Sequence, residues 1–73
     1  MSRAAVIGEA TRTAGFALAG ALVFPAETAG EARVAWSRLP ADVAVLLVTP
    51  RAAAWLDTAP RSRRDLLLAV MPP

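Results

Sequence analysis

The stretch Asp42 to Thr49 reads Asp-Val-Ala-Val-Leu-Leu-Val-Thr and lies between Pro40 and Pro50. Its apolar run is continuous. A strand with one wet face alternates polar and apolar residues, whereas a continuous run belongs to a strand covered on both faces, as in a parallel sheet flanked by helices. Thr49 followed by Pro50 then starts a helix. The threonine hydroxyl accepts from an orphan N–H, and proline at the first helical position sacrifices no hydrogen bond. This stretch therefore predicts a buried parallel strand that leads directly into a helix.

The rest of the chain supplies the units such a sheet needs. Arg3 to Gly8 is a short apolar run ending in glycine, and Ala21 to Phe24 is another, ended by Pro25. Between them, Ala10 to Ala19 is helix-compatible, with a start at Thr11, Phe16 and Ala19 on one face, and Gly20 where a C-terminal cap belongs. Thr28 and Glu31 have the spacing of a capping box. Ala32, Ala35, Trp36 and Leu39 follow at helical spacing, and Pro40 stops that helix. A third helix runs on from Pro50, with Ala52, Trp55 and Leu56 near one face, and Pro60 closes it. Asp65 to Met71 is a fourth strand. Strands alternating with helices predict an α/β fold. Right-handed crossovers leave few topologies, and the expected one is a four-stranded parallel sheet flanked by helices, flavodoxin-like or Rossmann-like, with strand order 2-1-3-4. No linker divides the chain, so residues 1–73 are expected to form a single domain.

A chain of 73 residues is a marginal folding unit, because a domain this small buries only about 60% of the surface its unfolded form exposes. It has no Cys and no His, which removes disulfides and the usual zinc ligands. The remaining staple is a partner protein. The pI of 11.2 accompanies a net charge of only +2, because every basic residue is Arg. Arg3, Arg12, Arg33, Arg38 and Arg51 are scattered among acids, and only Arg61, Arg63 and Arg64 cluster, as a solvated loop. Nucleic-acid binding needs a concentrated patch, so it is not expected. No stretch reaches the roughly 20 apolar residues of a membrane span. A signal-peptide reading would place an n-region around Arg3 and Arg12 and an h-region over Ala14 to Phe24; Glu9 and the strand-like start speak against it.

In an open α/β sheet a ligand site lies at the carboxyl ends of the strands. Those ends carry Gly8–Glu9, Phe24–Pro25, Thr49–Pro50 and Met71–Pro72, a poor inventory for catalysis. Glu9 reads as a charge at a helix N-terminus, where the macrodipole favours it. A dinucleotide loop needs glycines at positions one, three and six, but Gly8 and Gly15 are seven apart. A phosphate loop of the Walker type needs a lysine, and the chain has none. A receiver domain needs an acid at the end of its third strand, but Asp42 stands at the start and Thr49 at the end. Nucleophilic triads need a base such as His. The residues therefore point away from an enzyme, with no cofactor and no metal. Gly15 inside a helix costs about 1 kcal/mol relative to Ala, which close packing of that helix would explain. Trp36 and Trp55 are expected in the core; exposure of either would make it a docking anchor.

Val6-Ile7-Gly8, then Gly15-Phe16-Ala17-Leu18-Ala19-Gly20, then Asp42 to Thr49 occur in an order and spacing that resembles the F subunits of the V/A-type ATPases, or V-type ATP synthases. Gly8, Glu9, Gly15, Phe16, Leu18, Ala19 and Gly20 match that family's motif in type and spacing, and Asp42 and Thr49 bound its third strand. Glu9 stands where the family usually has Asp, and Arg12 where it often has Thr. The family continues after its fourth strand into a C-terminal helical tail, which this sequence lacks. The resemblance implies a non-catalytic rotor protein that docks on the coiled-coil shaft (the D subunit of such complexes), beside other subunits of the headpiece and central stalk. It would lie in the cytoplasm and reach the membrane only through the complex, and the shaft would couple ATP turnover to proton or sodium movement. Arg12, Trp36, Trp55, Arg61 and Arg64 are candidate interface residues. A small flavodoxin-like module binding a nucleotide or accepting a phosphoryl group is the alternative.

Overall fold

Strands β1 (Arg3–Gly8), β2 (Leu22–Pro25), β3 (Val43–Val48) and β4 (Leu67–Val70) form one sheet in the order β2-β1-β3-β4. Every neighbouring pair is parallel. The fold is thus the expected α/β arrangement, with the expected strand order. It is seen in a computed structural model that describes residues 3–56 and 66–72. The closing Pro60 and the arginines Arg61, Arg63 and Arg64 lie outside the described residues. Helices α1 (Ala10–Thr13), α2 (Ala29–Ser37) and α3 (Pro50–Leu56) connect the strands, with a 3-10 segment over Ala14–Ala19.

The register puts two apolar rows on one face of the sheet: Leu22–Ala5–Leu46–Leu68 and Phe24–Ile7–Val48–Val70. Helices α2 and α3 cover this face. Ala32, Ala35, Ala52 and Leu56 pack there against Ala5, Ile7, Leu46 and Val48 to make the buried core. Alanine at the contact positions lets the helix backbones come close to the strands, and Trp36, Leu39 and Trp55 close the margins.

The opposite face carries the rows Val23–Val6–Leu47–Ala69 and Ala4–Val45–Leu67. The α1 and 3-10 segments pack on β1 and β2, where Val6 and Thr13 are fully buried. The described helices leave the β3–β4 half of this face open: Val45 and Leu47 are half-buried and Leu67 is 63% exposed. The expectation that β3 is covered on both faces is thus met by helices on only one face among the described residues.

Residues 10–19 also depart from expectation. They are one turn of α-helix followed by a 3-10 segment. The Thr13 hydroxyl donates back to the Glu9 carbonyl at 3.1 Å, a local bond that competes with helix propagation, and Gly15 follows with its low helix propensity. Gly15 is not a close-packing position, since a Cβ built there meets nothing within 4 Å. Leu18 is not a packing residue either, at 94% exposed, and Ala19 is exposed beside it. Gly20 adopts φ 87° and returns its N–H to Ala17, the left-handed ending that glycine makes without strain.

Helix α2 begins with its cap in place. Thr28 Oγ1 accepts from the Glu31 N–H at 3.1 Å, while Glu31 Oε1 accepts from the Glu27 N–H at 2.7 Å. The carboxylate thus reaches one residue further back than in the reciprocal box.

Candidate functional site

Strands β1 and β3 are adjacent, but the connections leaving them depart to opposite faces of the sheet. Their carboxyl ends form the switch point where open α/β sheets hold ligands. The residues there are Gly8, Glu9 and Thr49. The Thr49 N–H donates to the Ile7 carbonyl at 3.2 Å, which draws the start of α3 onto the end of β1. Gly8 is the glycine that permits close approach: a Cβ there would overlap Thr49 Cγ2 and lie 2.7 Å from its Oγ1.

Glu9 sits at the N-cap position of α1, where its carbonyl accepts from the N–H groups of Arg12 and Thr13. Its side chain turns inward and accepts a hydrogen bond from the buried Thr49 hydroxyl. Thr49 Oγ1 also accepts from the Ala52 N–H at 3.2 Å, so one hydroxyl both caps α3 and holds the carboxylate. The Thr49 hydroxyl is the main cause that pulls the Glu9 pKa below its ordinary value; its own backbone N–H, Arg51 and Arg12 act the same way and desolvation opposes them. Glu9 is thus more than a charge at a helix N-terminus.

The surrounding groups extend this network. The Ala10 N–H donates to Glu27 Oε2 at 2.8 Å, which ties α1 to the approach to α2. Arg12 Nη2 donates to the Pro72 carbonyl at 2.7 Å, which ties α1 to the exit of β4. The Arg51 guanidinium lies 5.8 Å from the centre of the Trp55 ring. The carboxylate that could have served as a base is engaged by a neutral hydroxyl, and no buried polar side-chain atom among the described residues lacks a partner. No group of three potential metal ligands converges among them either.

Asp42 lies at the other end of the sheet. Its carboxylate takes both Nε and Nη2 of Arg3, at 2.6 and 2.8 Å, which lowers its pKa through that hydrogen-bonded pairing. The pair clasps the starts of β1 and β3, where the register slips between Arg3 and Ala4. Phe16 is half-buried beside the exposed Leu18. Trp36 and Trp55 are half-buried against the α2–α3 core. Of the candidate interface residues, Arg12 is bound to Pro72, and Arg61 and Arg64 fall outside the described residues. An open groove of about 640 Å³ lies between β2 and α2, lined by Val23, Phe24 and Val34 together with Arg38. Its Thr28 and Glu31 are already spent on the α2 cap.

The Glu9–Thr49 contact is not foreseen from the sequence, although a signal for it exists. Once the order 2-1-3-4 is drawn, β1 and β3 are neighbours, and the register that pairs Ile7 with Val48 brings Gly8 level with Thr49 and Glu9 one residue beyond it.

Fold and site together define a parallel α/β domain of flavodoxin-like strand order, whose usual ligand position is filled by its own side chains. The chain belongs to the family of the ATP synthase (F/14-kDa) subunit, whose model matches residues 4–72. It is thus a member of a family of rotary ATPase subunits, in agreement with the resemblance carried by Gly8 to Gly20 and Asp42 to Thr49. No curated protein matches it. None of the helices among the described residues is long and apolar enough to cross a membrane.

Proposed function

We propose that this chain is a non-catalytic central-stalk subunit of a V/A-type ATPase or ATP synthase. It docks as a single domain, residues 1–73, on the coiled-coil shaft of the rotor, in the cytoplasm and peripheral to the membrane. The observation that carries this reading is the family match over residues 4–72. The closed switch point supports it, because Glu9 and Thr49 satisfy each other where a nucleotide or a phosphoacceptor would have to enter. In this role the protein contributes to coupling ATP turnover with proton or sodium transport by being held on the shaft. Nucleotide sites and ion sites belong to other subunits.

Co-expression with the shaft protein tests the assignment. A complex of one copy of each chain should survive purification. Absence of a complex at micromolar concentrations, together with saturable binding of a nucleotide to the isolated chain, would replace the docking reading with the ligand-binding one.

A further inference from the structure

We infer that the open groove between β2 and α2 is a self-docking surface, on which a second copy of this chain sits across a two-fold axis. The inference is independent of the docking reading above, because it concerns the chain before it meets a shaft.

Three observations carry it. First, the outer stripe of α2 is complementary to itself. Glu31, Val34 and Arg38 border the groove, and all three are exposed. Residues three, four and seven apart share one helix face. Glu31 and Arg38 therefore lie about 10 Å apart along that face, and their midpoint falls between Val34 and Ala35. A two-fold axis through this midpoint lays two copies of α2 antiparallel. It sets each Arg38 opposite the other copy's Glu31 and each Val34 beside its equivalent. One operation satisfies both charges twice, as an isologous interface requires. The antiparallel arrangement also brings the positive end of each helix macrodipole beside the negative end of the other.

Second, the groove has room for the contact. Val23 and Phe24 of β2 form its apolar wall, and Val34 on α2 is 50% exposed. Gly30, also on its border, contributes no side chain, and a Cβ built there meets only Thr28 Oγ1, at 3.9 Å. The apolar stem of an incoming Arg38 can lie over this glycine while its head reaches Glu31. Glu31 spends Oε1 on the Glu27 N–H, which leaves its second oxygen for the pair.

Third, other occupants fit less well. The edge strand β2 has four residues, none of them charged, so it lacks the charged side chains that keep neighbours off an edge. A peptide strand added there would stop at Pro25, which has no N–H to give. A membrane surface selects a face rich in basic residues, whereas this one carries acid and base at opposite ends. Helix capping accounts for Glu31 by itself, but not for an exposed valine midway between opposite charges.

Sedimentation velocity on the full chain is the test. The wild type should pass from monomer to dimer as its concentration rises through the micromolar range. Arg38→Glu makes the stripe acidic at both ends, and Glu31→Arg makes it basic at both ends. Each alone should weaken pairing by about tenfold or more. An equimolar mixture of the two variants sets acid opposite base at both contacts and should restore the dimer to within about threefold of wild type. Val34→Asp should weaken pairing by about tenfold, and Leu18→Ser, outside the groove, should change it by less than about threefold. Far-UV circular dichroism and the denaturant midpoint establish that each variant is folded; if Glu31→Arg is not, Arg38→Glu and Val34→Asp decide. A wild-type chain that stays monomeric throughout would overturn the inference and leave the docking reading standing. A dimer indifferent to Arg38→Glu and Val34→Asp, one that Leu18→Ser dissolves, or a mixture of folded variants that fails to pair would overturn it equally.

Discussion

The two faces of the sheet are built from the same kinds of residue and end in different states. On the α2–α3 face, rows through Ala5, Leu46, Ile7 and Val48 meet helices that present alanine, and the contact is closed to water. On the α1 face, rows through Val6, Leu47, Val45 and Leu67 are equally apolar, but a four-residue helix and a 3-10 segment cover only part of them. The comparison separates two demands on an apolar residue. One face carries the core that holds the chain folded; the described helices leave part of the other uncovered. For a domain of 73 residues without cysteine, the core between the sheet and α2–α3 is the main source of stability among the described residues.

The largest expected effect tests the division directly. Leu46→Ala removes a fully buried side chain from the closed face and should cost about 2–5 kcal/mol, as large-to-small core substitutions do. Leu67→Ala on the open face should stay within about 0.5 kcal/mol in the isolated chain. Urea midpoints measure both, and equal losses would show that the open face is already structural in the monomer.

A second contrast lies between two glycines. Gly8→Ala places a methyl group against Thr49 and should destabilise by about 1–3 kcal/mol through overpacking. Gly15→Ala enters open space at a backbone without positive φ. It should leave stability unchanged or raise it by about 0.4–1 kcal/mol through the unfolded chain. Reversal of that order in a thermal or denaturant series would return the close-packing role to Gly15.

Thr49→Val keeps the shape at the switch point and removes its hydroxyl. Loss of the cap on the Ala52 N–H alone should cost about 1 kcal/mol, with Glu9 left without its donor. The smallest effect is in the pH profile. Glu9 and Asp42 have folded pKa values below their ordinary 4.5 and 3.8. The stability they confer is therefore fully present above those ordinary values and is lost as the pH falls through the lowered folded ones. Denaturant midpoints taken from about pH 7 down to about pH 3 should decline on acidification, and Thr49→Val should flatten the decline. An acid limb identical in the variant and the wild type would show that the hydroxyl does not hold the Glu9 charge.

Much of the fold is legible in the sequence because its signals are local. Thr49–Pro50 announces α3, Thr28 with Glu31 announces α2, and the continuous run before Thr49 announces a parallel strand. The departures come where a residue's meaning depends on what approaches it. Gly15 reads as the close-contact glycine because it sits within a helix-compatible run, yet the neighbour that needs the space is Thr49, and it presses on Gly8. Leu18 belongs to a motif of small and apolar residues, yet the 3-10 turn directs it outward. The Glu9–Thr49 contact joins residues 40 positions apart, and nothing in either local sequence names the other.

Residue order alone determined the alternation of strand and helix and the parallel sheet, and the handedness of crossovers narrowed the strand order to a few topologies that include 2-1-3-4. These follow from backbone sterics, capping and apolar periodicity, which act over a few residues at a time. Tertiary structure alone decided how far the described helices cover each apolar face, and that the switch point is filled by a carboxylate and a hydroxyl of the chain itself. Periodicity states that a face is suited to burial; only the lengths and paths of the packed helices decide how much of it they cover.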